Sequence, residues 1–154
     1  MRFSTIASTL ATASLASARI VGVATPSTLA PNATFPITLI NENYIQAVSE
    51  IAAAWGFATP AQAFPYTLGQ YGTNSSYLGP KPSTSLENVT LVGTAPGNLE
   101  SGSNYVFSIA VMTLYGVSHA PVTESWNVTV KIGQEQDDED VVASRQVGWK
   151  QTAS

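Results

Sequence analysis

Short runs in which apolar and polar residues alternate recur along this chain, parted by Gly, Pro, Asn and Ser. A period of two over about 4–8 residues marks a half-buried strand. Six or seven such runs are visible. Residues 19–25 form the first, closed by Pro26. After the Pro31-Asn32 turn, residues 35–41 put Phe35, Ile37 and Leu39 on one side, and Pro36, which cannot donate to a ladder, places this run at a sheet edge or a strand start. Residues 86–93 turn Val89 and Leu91 inward, with Asn88 and Thr90 outward. Residues 104–115 are the clearest strand: Tyr105, Phe107, Ile109 and Val111 make a bulky face, and Val106, Ser108, Ala110 and Met112 a smaller one that is also mostly apolar. Such a strand belongs at the centre of a sheet. In residues 124–132, Trp126, Val128, Val130 and Ile132 face inward while Asn127, Thr129 and Lys131 face outward.

Residues 43–58 support two readings. Tyr44, Val48, Ile51, Ala52 and Trp55 recur at helical spacing behind a capping Asn43, yet Ile51, Ala53, Trp55 and Phe57 also alternate. We favour the strand, because a helix would interrupt the meander its neighbours imply. Residues 59–85 form the longest irregular region, punctuated by Pro60, Pro65, Gly69, Gly72, Gly79, Pro80 and Pro82, with a short strand near 76–78 dividing it. The expected fold is all-β, an immunoglobulin-like β-sandwich of about seven strands over residues 19–133.

The two ends of the chain read differently. Met1-Arg2, an apolar stretch to Leu15 and the small residues Ala16-Ser17-Ala18 have the form of a secretory signal peptide covering residues 1–18. That stretch is shorter than the roughly 20 apolar residues a spanning helix needs, and no later run reaches that length, so a soluble chain starting at Arg19 is expected in the extracellular space. Residues 134–154 open on Glu135, Asp137, Asp138, Glu139 and Asp140, half of the chain's 10 carboxylates, and read as a disordered acidic tail.

Composition narrows the chemistry. With no cysteine, thiol and redox catalysis and cysteine-based zinc sites are excluded, and the fold must hold by burial and backbone pairing. Residues 19–133 carry three cations, Arg19, Lys81 and Lys131, in no cluster that could displace counterions from a nucleic acid. His119 is the single histidine, in a Ser118-His119-Ala120-Pro121 turn, and every aspartate lies in the tail, so no Ser-His-Asp set forms in the body. The scattered glutamates offer no metal cluster; Glu42 and Glu50 are the nearest body pair for a two-carboxylate hydrolase. We expect no catalysis, no cofactor and no metal. Four N-glycosylation sequons begin at Asn32, Asn74, Asn88 and Asn127, and glycans there would solubilise a surface short of charge. Phe64, Tyr66, Tyr71 and Tyr77 cluster in the long Pro/Gly region; either they are partner-binding residues, or a platform for sugar rings in a cell-wall carbohydrate-binding protein, or two or three of them fold back to cap the sandwich.

Four motifs then carry a likeness. Arg19-Ile20-Val21-Gly22, Glu42-Asn43-Tyr44-Ile45-Gln46, Ser76-Tyr77-Leu78-Gly79-Pro80 and Leu114-Tyr115-Gly116-Val117 follow one another as in the fungal necrosis-inducing secreted proteins, which this chain resembles from the signal to about Gly133. The resemblance implies an effector secreted into the host apoplast that interferes with pattern-triggered plant immunity by acting on host receptor-like kinases and can provoke plant cell death; apart from the resemblance, a monomer is expected. It transfers no catalytic residue. Those kinase domains lie in the host cytoplasm, so the resemblance also implies a separate uptake step.

Overall fold

The computed structural model describes residues 17–79 and 85–152. Residues 1–16, most of the expected signal peptide, lie outside the described residues. Among the described residues the elements are β1 (Ser17–Leu29), β2 (Thr34–Tyr44), β3 (Val48–Ala58), a 3-10 turn (Pro60–Gln62), β4 (Tyr71–Tyr77), β5 (Val89–Thr94), β6 (Asn104–Tyr115), β7 (Ala120–Ile132), β8 (Asp137–Ser144) and β9 (Val147–Thr152). The strands pair in the order β4-β3-β6-β7-β1-β2-β5, with β8 added to β1 and β9 to β7, and this sheet curls until it is nearly closed and barrel-like. All pairings are antiparallel except the short join of β1 to β7 at Thr28↔Lys131 and Leu29↔Ile132.

The all-β expectation stands, and the alternation explains it. Phe35 and Leu39 from β2 meet Trp55 and Phe57 from β3, Phe107 and Ile109 from β6, and Trp126 and Val130 from β7 in one core. Phe35, Phe57 and Phe107 pack edge-on or tilted with centroids 5.1–6.0 Å apart, the arrangement their quadrupoles favour. Full burial of each such side chain contributes about 1.5–3 kcal/mol. As expected, β6 lies centrally, between β3 and β7. On β7, Trp126, Val128, Val130 and Ile132 are buried and Asn127, Thr129 and Lys131 exposed.

Several expectations need correction. β1 does not stop at Pro26: its first half pairs with β2 and its second half, through a bulge beside Pro26, with β8 and β7. Segment 48–58 is a strand, which removes the helical alternative there. Of the two places expected for Pro36, a sheet edge or a strand start, the structure has the second: β2 lies between β1 and β5, and Pro36 sits near its start, where it pairs with β5 alone (Pro36↔Val92). Val89 is 38% exposed rather than inward, because β5 ends the sheet and little covers it. The long irregular region contains a full edge strand, β4. Above all, the tail expected to be disordered forms β8 and β9. β1 and β7 pair with each other only at one end, and the two tail strands satisfy the backbone edges they would otherwise leave open.

Candidate functional site

Two places gather chemistry-bearing side chains. The first is an aromatic roof over the outer face of β6 and β7. That face is lined by small residues, and Ser108 and Ser125 are buried beneath what lies on it. The loop after β3 fits because Gly56 has no side chain: a Cβ there would stand 2.8 Å from the Leu68 carbonyl oxygen. Gly69, at φ 96°, passes so close to the Phe57 carbonyl that no side chain could be carried there. From this loop Tyr66 tilts against Trp149 of β9, with centroids 5.3 Å apart. The Ser125 hydroxyl accepts from the Trp149 amide at 3.0 Å. Between loop and β9 opens a cavity of about 90 Å³ lined by Phe64, Pro65, Thr67, Asn127, Gly148 and Trp149.

The four aromatics expected to act together are separated. Phe64 and Tyr66 are 62% and 66% exposed on the roof, and Tyr77 is 73% exposed on the edge strand β4. Tyr71 packs edge-on against Tyr105, with centroids 5.7 Å apart, as part of the core wall.

The second place is the strand end where three of the four motifs converge. The Arg19 guanidinium sits 4.8 Å from the Tyr44 ring centroid, a cation–π contact, and Tyr44 meets Tyr115 edge-on at 5.7 Å. The Tyr115 hydroxyl donates to Glu124 Oε2 at 3.1 Å, and Lys150 Nζ lies 3.0 Å from Glu124 Oε1. Glu124 is buried, and each of its carboxylate oxygens has one of those two partners. Burial first, and the Glu124 carboxylate second, push the Tyr115 phenol well above its ordinary range, and it stays protonated as a donor. Just beyond, the Gly116 amide donates to the Ala47 carbonyl at 2.8 Å and ties two turns together. On those turns Ile45 is 95% and Val117 97% exposed.

The remaining candidates are dispersed. Glu42 is exposed and ion-paired with Arg145, while Glu50 is buried on β3, opposite Thr113. His119 takes φ 52° in an exposed turn. Among the described residues no three His, Asp or Glu side chains group so as to hold a metal, and no helix is long and apolar enough to cross a membrane. The asparagines of all four sequons are exposed. The contributions of Trp149, Lys150 and Arg145 escaped the sequence reading because they sit in the tail. The alternation Val147, Trp149 and Gln151 against Gly148 and Lys150 was the available signal.

An all-β body whose polar groups collect at strand ends and on one roofed face defines a barrel-like β protein that presents surface. The particular family is shown by comparison: the Nis1 family profile matches residues 16–131, and the chain belongs to that family. It is 45% identical over 119 residues to Necrosis-inducing secreted protein 1 of Colletotrichum higginsianum, covering 77% of this chain and 81% of that protein. It is 40% identical over 136 residues to Necrosis-inducing secreted protein 1 of Colletotrichum orbiculare, covering 88% of this chain and 83% of that protein. The chain is a secreted effector of this necrosis-inducing family.

Proposed function

We propose that the protein acts without catalysis, as a monomer that binds a host protein through the turn end, and that the partner is a receptor-associated kinase whose engagement weakens pattern-triggered immunity. One observation carries the choice of surface: two large aliphatic side chains, Ile45 and Val117, stand almost wholly in solvent on turns that a backbone hydrogen bond joins. Exposed apolar tips cost solubility unless they meet something. Arg19, Tyr44 and Tyr115 stiffen the base beneath them, which lowers the ordering cost of binding. The partner class rests on the family resemblance, and it requires an uptake step into the host cell.

The test is a pull-down with the cytoplasmic domains of plant receptor kinases, comparing the intact chain with one carrying Ile45→Ser and Val117→Ser. Capture by the intact chain and at least a tenfold weaker capture by the variant, about 1.4 kcal/mol, is expected. Equal capture removes the turns from the interface. A second reading, a binder of cell-wall carbohydrate, is favoured by the aromatic roof of Phe64, Tyr66 and Trp149. It requires retardation in gels containing chitin, glucan or cellulose.

A further inference from the structure

Asn127 opens the exposed row Asn127, Thr129 and Lys131 on β7 and stands opposite Ser108 of β6. On its other flank runs β9, where Gly148, having no side chain, lets the Asn127 amide lie close against the strand: a Cβ there would come within 3.2 Å of Asn127 Nδ2 and of Ser125 Oγ. Small neighbours on both sides therefore leave the amide facing the cavity whose walls are Phe64, Pro65 and Trp149. The walls are preformed. Ser125 holds the Trp149 backbone, accepting at 3.0 Å, and the Tyr66 ring braces the indole at 5.3 Å. The cavity, about 90 Å³, is well short of the roughly 300–1,000 Å³ of ordinary ligand pockets and suits one edge of a sugar ring rather than a free ligand.

We infer that Asn127 carries an N-linked glycan in the secreted protein and that the first N-acetylglucosamine of this glycan is seated in the Phe64/Trp149 cavity. The linkage forms when Asn127 Nδ2 attacks C1 of the sugar on a lipid pyrophosphate carrier: the C1–N bond forms, the C1–O bond to the carrier breaks, the pyrophosphate leaves, and the amide nitrogen loses one proton. The seat follows from complementarity. One face of the pyranose presents C–H bonds, weakly positive and apolar, to the negative faces of aromatic rings. Asn32, Asn74 and Asn88 are exposed as well, but none of them lines this cavity. The seat covers a roof that otherwise leaves Phe64 and Tyr66 more than half exposed, and it stands apart from the turn end on which host binding was placed.

The chain is secreted from yeast with Thr34→Val, Ser76→Ala and Thr90→Val, which remove the other three sequons. Mass analysis of the Asn127 peptide reads occupancy. Acrylamide quenching of tryptophan fluorescence reads the seat, because Trp55 and Trp126 are each only 2% exposed and accessible signal comes from Trp149. Three forms are compared: the intact glycoprotein, the same protein trimmed by an endoglycosidase to one N-acetylglucosamine, and Asn127→Gln. The expected result is an occupied Asn127, equal protection of Trp149 in the first two forms, and a quenching constant that roughly doubles in Asn127→Gln as the indole face meets solvent. An unmodified Asn127 overturns the inference. So does equal quenching in all three forms, or loss of protection on trimming, which would assign any shielding to the outer sugars.

Discussion

At the scale of residues, the contact with most consequence is that between Tyr115 and Glu124. Taking a partner from a buried carboxylate is costly, and the phenol supplies one of the two partners of Glu124, the Lys150 ammonium the other. Tyr115→Phe keeps the ring, and with it the contact to Tyr44, but leaves Glu124 short of a donor. Urea unfolding at neutral pH should show a loss of about 1–3 kcal/mol. The alkaline limb distinguishes this from simple packing loss. The phenol's folded-state pKa is raised above its ordinary 10.0, so the stability linked to it is complete below that value. It is lost as pH rises, because the unfolded chain releases the proton first. The gap between wild type and Tyr115→Phe should therefore narrow from about pH 9 to about pH 11. A constant gap would mean that folding does not shield the phenol.

At the scale of elements, the tail strands β8 and β9 decide whether the sandwich closes. β8 pairs with β1 between Val23 and Thr28, and β9 with β7 between Val122 and Trp126. Removing residues 134–154 strips hydrogen-bond partners from both strands, takes Lys150 from Glu124, and leaves two long unpaired edges of the kind that recruit other chains. The truncated protein should melt at least several degrees lower and elute in part as dimers or larger species in size-exclusion chromatography. An unchanged melting point and a single monomer peak would show that the tail is dispensable. The tail also marks where the sequence stops being informative. β6 and β7 were legible because each turns one face into the core, so the inward residues had to be large and apolar: Tyr105, Phe107, Ile109 and Val111 on β6, Trp126, Val128, Val130 and Ile132 on β7. β8 is almost wholly exposed; backbone pairing holds it, and Asp137 to Asp140 sit where charge blunts an edge. An acidic run on an edge strand and one in a disordered tail look alike in sequence. The same holds for β4, whose Gly72, Asn74, Ser75 and Ser76 carry no alternation because little is packed on either side. The aromatic cluster misled for a related reason. Proximity in sequence could not say that Tyr71 turns to the core while Tyr66 turns out to meet a tryptophan more than 80 residues on.

At the scale of the whole molecule, the distribution of sequons and the position of the apolar tips bear on one another. Asn32 lies in the β1–β2 turn, Asn74 on β4, Asn88 just before β5 and Asn127 on β7, and none falls on the paired turns that display Ile45 and Val117. A surface free of sequons between faces that carry them is where a protein partner could approach closely. The idea can be tested by placing a glycan there. Gly116→Asn completes a sequon with Val117 and Ser118. The substitution suits the backbone, because Gly116 has φ 69°, which asparagine tolerates better than other side chains, and a Cβ there meets nothing within 4 Å. Its amide still donates to Ala47. Secreted from yeast, the variant should melt within about 2 °C of the wild type yet lose kinase capture and leaf necrosis, and both should return when the same substitution is made without glycosylation, in bacteria. If the glycosylated variant still binds and still kills, the partner meets another face. The exposed edge strand β4 with Tyr77 would then be the surface to mask next, since an unpaired edge can take up a foreign strand.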